Sequence, residues 1–215
     1  MNVQDIREAF VSLKQLHTHG NAAGGMLELI GTSFVADEEF IFGAPDYDYI
    51  ERELAWYHSM SRNVNDIPGG PPTIWRDVAD KDGIINSNYG HIIWSGENYR
   101  QFDHVLKTLT EEPGSRQGTM VYTRPTIHHE AVVNGRRDFI CTNAVNYFIR
   151  DGALHAVVQM RSNDVVFGYR NDYAWQLHVQ TMLADRLGIA PSRITWQAAS
   201  LHVYPRHFDL IPDGV

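Results

Sequence analysis

The sequence predicts an α+β fold. Three observations carry that prediction. Several segments repeat apolar residues at helical spacing, and others are short apolar runs bounded by turn residues. The two kinds of segment do not alternate as regular βαβ units. Asp151–Gly152, set between the apolar runs FICTNAVNYFI and ALHAVVQM, is a strong two-residue hairpin signal.

The elements follow in chain order. Val3, Ile6, Phe10, Leu13 and Leu16 place a helix over residues 3–16. HTHGNAAGG reads as a flexible loop, MLELIGTSFV as a buried strand and EEFIF as another strand. Asp46 is a candidate cap for a helix through DYIERELAWYHS, with Ile50, Leu54 and Tyr57 on one face. NDIPGGPP punctuates the chain as a loop inside one domain. Ser95 is a candidate cap for a helix that turns Tyr99, Phe102, Leu106 and Leu109 inward, and GTMVYT reads as a short strand. After the hairpin, a helix is expected from about Asp172 to Gly188, with Ala174, Leu177, Thr181 and Ala184 together. RITW and SLHVYP close the chain as strands. No repeat or low-complexity segment appears, so residues 1–215 are expected to form a single domain.

Composition narrows the function. A chain of 215 residues can bury a real core. Its 43% hydrophobic and 20% charged residues are those of a globular protein and argue against disorder. No apolar run approaches the ~20 residues of a membrane span. MNVQDIREAF carries acids early and no apolar core, which reads against a signal peptide and for a cytoplasmic protein. A net charge of −8 disfavours sequence-independent nucleic-acid binding. One cysteine excludes an internal disulfide and a Cys-cluster zinc site.

Few residues carry chemistry on their own. Cys141, expected in a strand through FICTN, is either a small buried filler or a nucleophile. Arg161, which follows across the hairpin, could favour its thiolate. Glu53 sits among Leu54, Trp56 and Tyr57, where burial would raise its pKa and make it a usable acid or base. His128, His129 and Glu130 suggest a metal, but adjacent side chains on a strand point to opposite faces, so no metal is expected there. His17 and His19 are judged the same way. The glycine stretches match neither a P-loop nor a dinucleotide fingerprint. Asp172 has an ordinary reading as a helix N-cap, and Asn171 could serve equally.

Taken together, IGTSFVADEEFIFGA, IERELAWY, INSNYGHIIWS, SRQGTMVYTRP, DFICTN, VVQMRSNDVVFGYRNDYAWQ and SLHVYPRH resemble the thymidylate synthase superfamily, from about Leu27 to His207. Within it they resemble the branch that hydroxymethylates cytosine nucleotides. The resemblance implies a mixed β-sheet flanked by helices, in a homodimer packed through the sheet. It implies that Cys141 attacks C6 of the pyrimidine, that Glu53 organises proton transfer and that Tyr89 lies near C5. Arg161 and Ser162 would bind the phosphate, joined by Arg116 from the other subunit. His202 and Tyr204 would hold the sugar 3′-hydroxyl. Trp75 and Asp164 would meet the folate, 5,10-methylenetetrahydrofolate, which serves as co-substrate without a metal.

Asp172 separates the branches, because thymidylate synthases carry asparagine at the matching position. A carboxylate accepts from cytosine N4, whereas it would oppose uracil O4 acceptor to acceptor. The implied reaction converts dCMP to 5-hydroxymethyl-dCMP, with no nucleic-acid or membrane partner. Three further readings compete: a CMP hydroxymethylase, which Asp172 suits equally; a dUMP enzyme, which Asp172 disfavours; and a catalytically silent or RNA-binding relative. Residues 20–25 hold no basic residue where the superfamily has one. Gln117 replaces a second arginine, Ile140-Cys141-Thr142 replaces Pro-Cys-His, and the chain ends soon after His207 without the family's longer tail.

Overall fold

A computed structural model describes residues 1–17 and 25–213. Most of the HTHGNAAGG segment, His19 included, lies outside the described residues. By contacts the chain divides into two units, Met1–Pro45 with Arg150–Val215, and Asp46–Ile149.

The first unit holds α1 (Val3–His17), β1 (Leu27–Val35), β4 (Ala153–Met160), β5 (Asn163–Asp164), α7 (Gly168–Leu187) and β6 (Ala190–Val203). RITW and SLHVYP, expected as separate strands, belong largely to the single long β6. That strand organises a mixed sheet: β1 runs antiparallel to it, while β4 and β5 run parallel. β4 alternates half-buried and buried residues, as a strand with one face on the core must. α1 packs on β1, and Val3, Ile6 and Phe10 are fully buried at helical spacing. α7 covers β4 and β6.

Two further expectations fail in this unit. EEFIF is not a strand but a bent segment. Arg7 donates to the carbonyls of Phe40 and Ile41, so those groups do not enter a ladder. The last helix begins at Gly168, ahead of Asp172, and its buried residues are Tyr169, Arg170, Trp175, Gln176, Val179, Gln180, Leu183 and Ala184, of which Ala184 alone belongs to the expected set. Leu177 is exposed. Neither Asp172 nor Asn171 is therefore an N-cap.

The second unit holds α2 (Tyr47–Ser59), α3 (Thr73–Val78), α4 (Tyr89–Trp94), α5 (Gln101–Glu111), β2 (Thr119–Val121), α6 (Ile127–Asn134) and β3 (Thr142–Arg150). Asp46 caps α2 as expected, accepting from the Tyr49 amide at 3.0 Å. The buried face of α2 is Glu53, Trp56 and Tyr57, while Ile50 and Leu54 are half-buried. β2 pairs antiparallel with β3.

Ser95 caps a single 3-10 turn instead of a long helix. Tyr99 and Arg100 both adopt left-handed backbone and break the chain before α5. Tyr99 is consequently 81% exposed, and Val105 takes an inward place with Phe102 and Leu109. His128, His129 and Glu130 lie on helix α6, not on a strand. Both histidines are exposed, and Glu130 is engaged by Arg124 and Arg136. The hairpin turn is as expected: β3 ends at Arg150, β4 starts at Ala153, and Asp151 (φ 53°) and Gly152 (φ 74°) both have positive φ.

Candidate active site

In the second unit, α2 carries Glu53 into the interior, where it is 5% exposed. Its carboxylate is met by two donors. Tyr49, one turn earlier, donates its phenol to Glu53 Oε1 at 2.6 Å. The Trp75 indole N–H, from α3, points at Tyr49 Oη (2.9 Å) and at Glu53 Oε1 (3.3 Å). Burial pushes the Glu53 carboxyl up to about 7, with the two hydrogen bonds opposing the rise. Burial, and the carboxylate beside it, raise the Tyr49 phenol above its ordinary range. A carboxyl poised near neutrality can both give and take a proton at working pH.

Tyr89 is positioned by α4. Asn88 caps that helix, accepting from the His91 amide at 2.7 Å, and its own amide donates to the carbonyls of Trp56 and Ser61. The start of α4 is thereby tied to the end of α2. Gly90 permits the approach, since a Cβ there would lie 1.8 Å from the Tyr57 carbonyl oxygen. The Tyr89 ring stacks on Tyr57, with centroids 5.4 Å apart.

Cys141 lies one residue before β3, not within a strand, and is partly accessible. Its sulfur is 3.9 Å from the Phe139 carbonyl oxygen. The residues around it are anchored. Buried Asp138 accepts from the amides of Asn86 and Ser87, both at 2.7 Å, and from the Ser87 hydroxyl. Thr142, fully buried, donates to Tyr89 Oη at 3.1 Å. The structure thus brings Glu53 to Trp75 directly, and links Tyr89 to the residue following Cys141. Arg116 stands apart, exposed in the loop before β2.

In the first unit, residues 161–164 run beside the end of β6. The Ser200 amide donates to the Arg161 carbonyl at 3.2 Å, Asn163 is registered with Leu201, and Asp164 with His202. Arg161 and Ser162 are therefore close along the sheet to His202 and Tyr204, whose rings meet edge to face at 5.0 Å. His202 is buried, with Nδ1 3.4 Å from the Ser200 hydroxyl. Asp164 accepts from the amides of Val166 and Phe167 and so shapes the turn into α7. Asp172, in the second turn of α7, accepts from Asn163 Nδ2 at 2.8 Å.

Sequence reasoning missed Tyr49 and Asn163. Tyr49 carried a readable signal, being four residues before Glu53 on the same helix. Asn163 stands inside the run Arg161-Ser162-Asn163-Asp164, where only its neighbours were singled out. Among the described residues no group of three or more His, Cys, Asp or Glu could hold a metal ion. No described helix is long and apolar enough to cross a membrane.

The α+β fold, a mixed sheet flanked by helices, is that of a thymidylate synthase-like protein. The family model described as Thymidylate synthase matches residues 46–214, and the chain belongs to that family. More particularly, it is 54% identical over 192 residues to the deoxycytidylate 5-hydroxymethyltransferases of Enterobacteria phages T4 and T6, with 86% of this chain and 78% of each relative covered. The thymidylate synthase of Bacillus atrophaeus is 28% identical over 166 residues, covering 74% of this chain and 70% of that one. The solved thymidylate synthase of T4 phage shares the fold, with a TM-score of 0.73 at 17% identity over 95% of this chain and 77% of that one.

Proposed function

We propose that the chain transfers the one-carbon unit of 5,10-methylenetetrahydrofolate to C5 of dCMP and hydrates it to 5-hydroxymethyl-dCMP. The observation that carries this reading is the 54% identity to the phage deoxycytidylate 5-hydroxymethyltransferases. Asp172 supports the choice of base. One of its oxygens already accepts from Asn163, and a carboxylate keeps further acceptor capacity for the N4 amino group of cytosine.

Each residue then has a role. C5 of cytosine is a poor nucleophile. Addition of the Cys141 thiolate at C6 makes C5 enamine-like and ready to form a carbon–carbon bond. When bound, the folate supplies the one-carbon unit at the formaldehyde level. Trp75 suits a flat heteroaromatic partner, because its pinned N–H fixes a half-exposed ring. Glu53, poised near neutrality, handles protons through water, including those of the final hydration. Tyr89 is assigned to the surroundings of C5. Arg161 and Ser162 bind the phosphate, His202 and Tyr204 the sugar hydroxyl, and Asp164 the folate. Once the C5 proton is lost and the amine of tetrahydrofolate has left the transferred carbon, water adds to the resulting exocyclic methylene at C5, and Cys141 leaves C6 as the thiolate.

The enzyme is further proposed to act as a homodimer in the cytoplasm, without nucleic-acid or membrane partners. Arg116 is exposed and makes no hydrogen bond or ion pair among the described residues. It is thus available to a phosphate held by the other subunit. Sedimentation should give the dimer mass, and a fully active monomer would refute the assembly.

The decisive experiment incubates the protein with methylenetetrahydrofolate and, separately, dCMP, CMP and dUMP, and reads the products by mass. The expected product is dCMP plus one CH2O. Turnover of CMP in preference to dCMP would favour the nucleoside-antibiotic type of CMP hydroxymethylase, because Asp172 reads only the base. A methylated dUMP product, or none from any nucleotide, would overturn the proposal.

A further inference from the structure

We infer that Asn163 and Gly168 form a device that sets the orientation of Asp172, and with it the preference for cytosine. This rests on the base-reading role of Asp172 proposed above.

Three observations carry the inference. Asn163 is 2% exposed, and its amide donates to Asp172 Oδ2 at 2.8 Å. An N–H can face only an acceptor, so this bond fixes Oδ2 as an accepting oxygen. It also restricts rotation about the last side-chain torsion of Asp172.

The second observation concerns the far side of the same amide. Asn163 Oδ1 is buried and has no hydrogen-bond partner. An apolar side chain would fill this place without stranding a carbonyl. The amide is thus not there to tie the fold together, and its one evident use is the donor it gives to Asp172.

The third observation is the space around the pair. Gly168 is the first residue of α7, and its backbone does not have the positive φ that favours glycine. A Cβ at this position would lie 3.1 Å from Asn163 Nδ2 and 3.9 Å from Asp172 Oδ2. It would press on the donor from the side and push it off its partner by a few tenths of an ångström. The glycine is needed for the room that the pair occupies, not for backbone conformation.

Asn163 is a positioning residue in this scheme, acting on the base through Asp172. Its loss should move the choice between nucleotides more than overall turnover. The test measures kcat/KM for dCMP and dUMP in the wild type, Asn163→Val, the isosteric Asn163→Asp and Gly168→Ala. Loss of a hydrogen bond to a charged group corresponds to roughly a tenfold change or more. The dCMP-to-dUMP ratio should therefore fall about tenfold in Asn163→Val and Asn163→Asp, and in the same direction in Gly168→Ala. In an Asp172→Asn background, Asn163→Val should no longer change the ratio.

A crystal structure of Asn163→Val provides a readout independent of activity, and Asp172 should there adopt a different or disordered rotamer. An unchanged ratio in folded Asn163→Asp, or an unmoved Asp172 in Asn163→Val, overturns the inference. If Asp172→Asn alone leaves the ratio unchanged, the base-reading role itself falls, whatever the rotamer result.

Discussion

Tyr49 and Glu53 share one face of α2, and the phenol of the first donates to the carboxylate of the second at 2.6 Å. The bond opposes the upward push of burial on Glu53. Tyr49→Phe removes the donor and keeps the ring. The Glu53 carboxyl should then rise above about 7, by on the order of one pH unit for a bond of this kind. NMR titration of carboxyl-labelled protein reads it directly. The limb of the pH–rate profile that follows Glu53 should move in step, with the fold intact.

Glu53 also makes stability depend on pH. Its carboxyl titrates near 4.5 in the unfolded chain and near 7 in the folded one. Between those values the folded state holds the extra proton, so stability falls as pH rises. The contribution is fully present below about 4.5 and lost as pH passes about 7, a change of about 3 kcal/mol. Glu53→Gln should abolish that fall and be more stable than wild type at pH above about 7. Urea denaturation at a series of pH values checks it, and parallel curves for the two proteins would contradict it.

Cys141→Ser should abolish turnover while dCMP binding survives. A hydroxyl without a dedicated base is a far weaker nucleophile, whereas the groups assigned to phosphate, sugar and base are untouched. Calorimetry for binding and product mass for turnover separate the two effects. A kcat near that of wild type would rule out the covalent adduct.

Asp172→Asn should shift preference from dCMP towards dUMP, with a loss of about 1–3 kcal/mol towards cytosine. The substitution is nearly isosteric and supplies a donor for O4. Because α7 begins at Gly168, the change removes no helix cap, and folding stability should be little affected. The kcat/KM values for both nucleotides decide the matter, and an unchanged ratio rejects the base-reading role.

Much of this molecule was legible before any coordinate. Helix periodicity located α1 and the Asp46-capped α2, and Asp151–Gly152 located the turn between β3 and β4, because these signals act within a few residues. The apolar neighbours of Glu53 foretold its burial. Motif order supplied the residues that are proposed for the site.

Tertiary structure decided what depends on distant partners. EEFIF has a strand-like sequence, but the Arg7 side chain, distant in sequence, takes its carbonyls. Asp172 looks like a helix start, yet the turn shaped by Asp164 launches α7 before it and frees Asp172 from capping. The value near 7 at Glu53 needs Trp75 to arrive from another helix, as well as burial. The sequence by itself thus determined the local elements and the chemical inventory. Burial, hydrogen-bond pairing and close approach between remote segments decided which of those groups are poised, because each is a property of neighbours in space, not of neighbours along the chain.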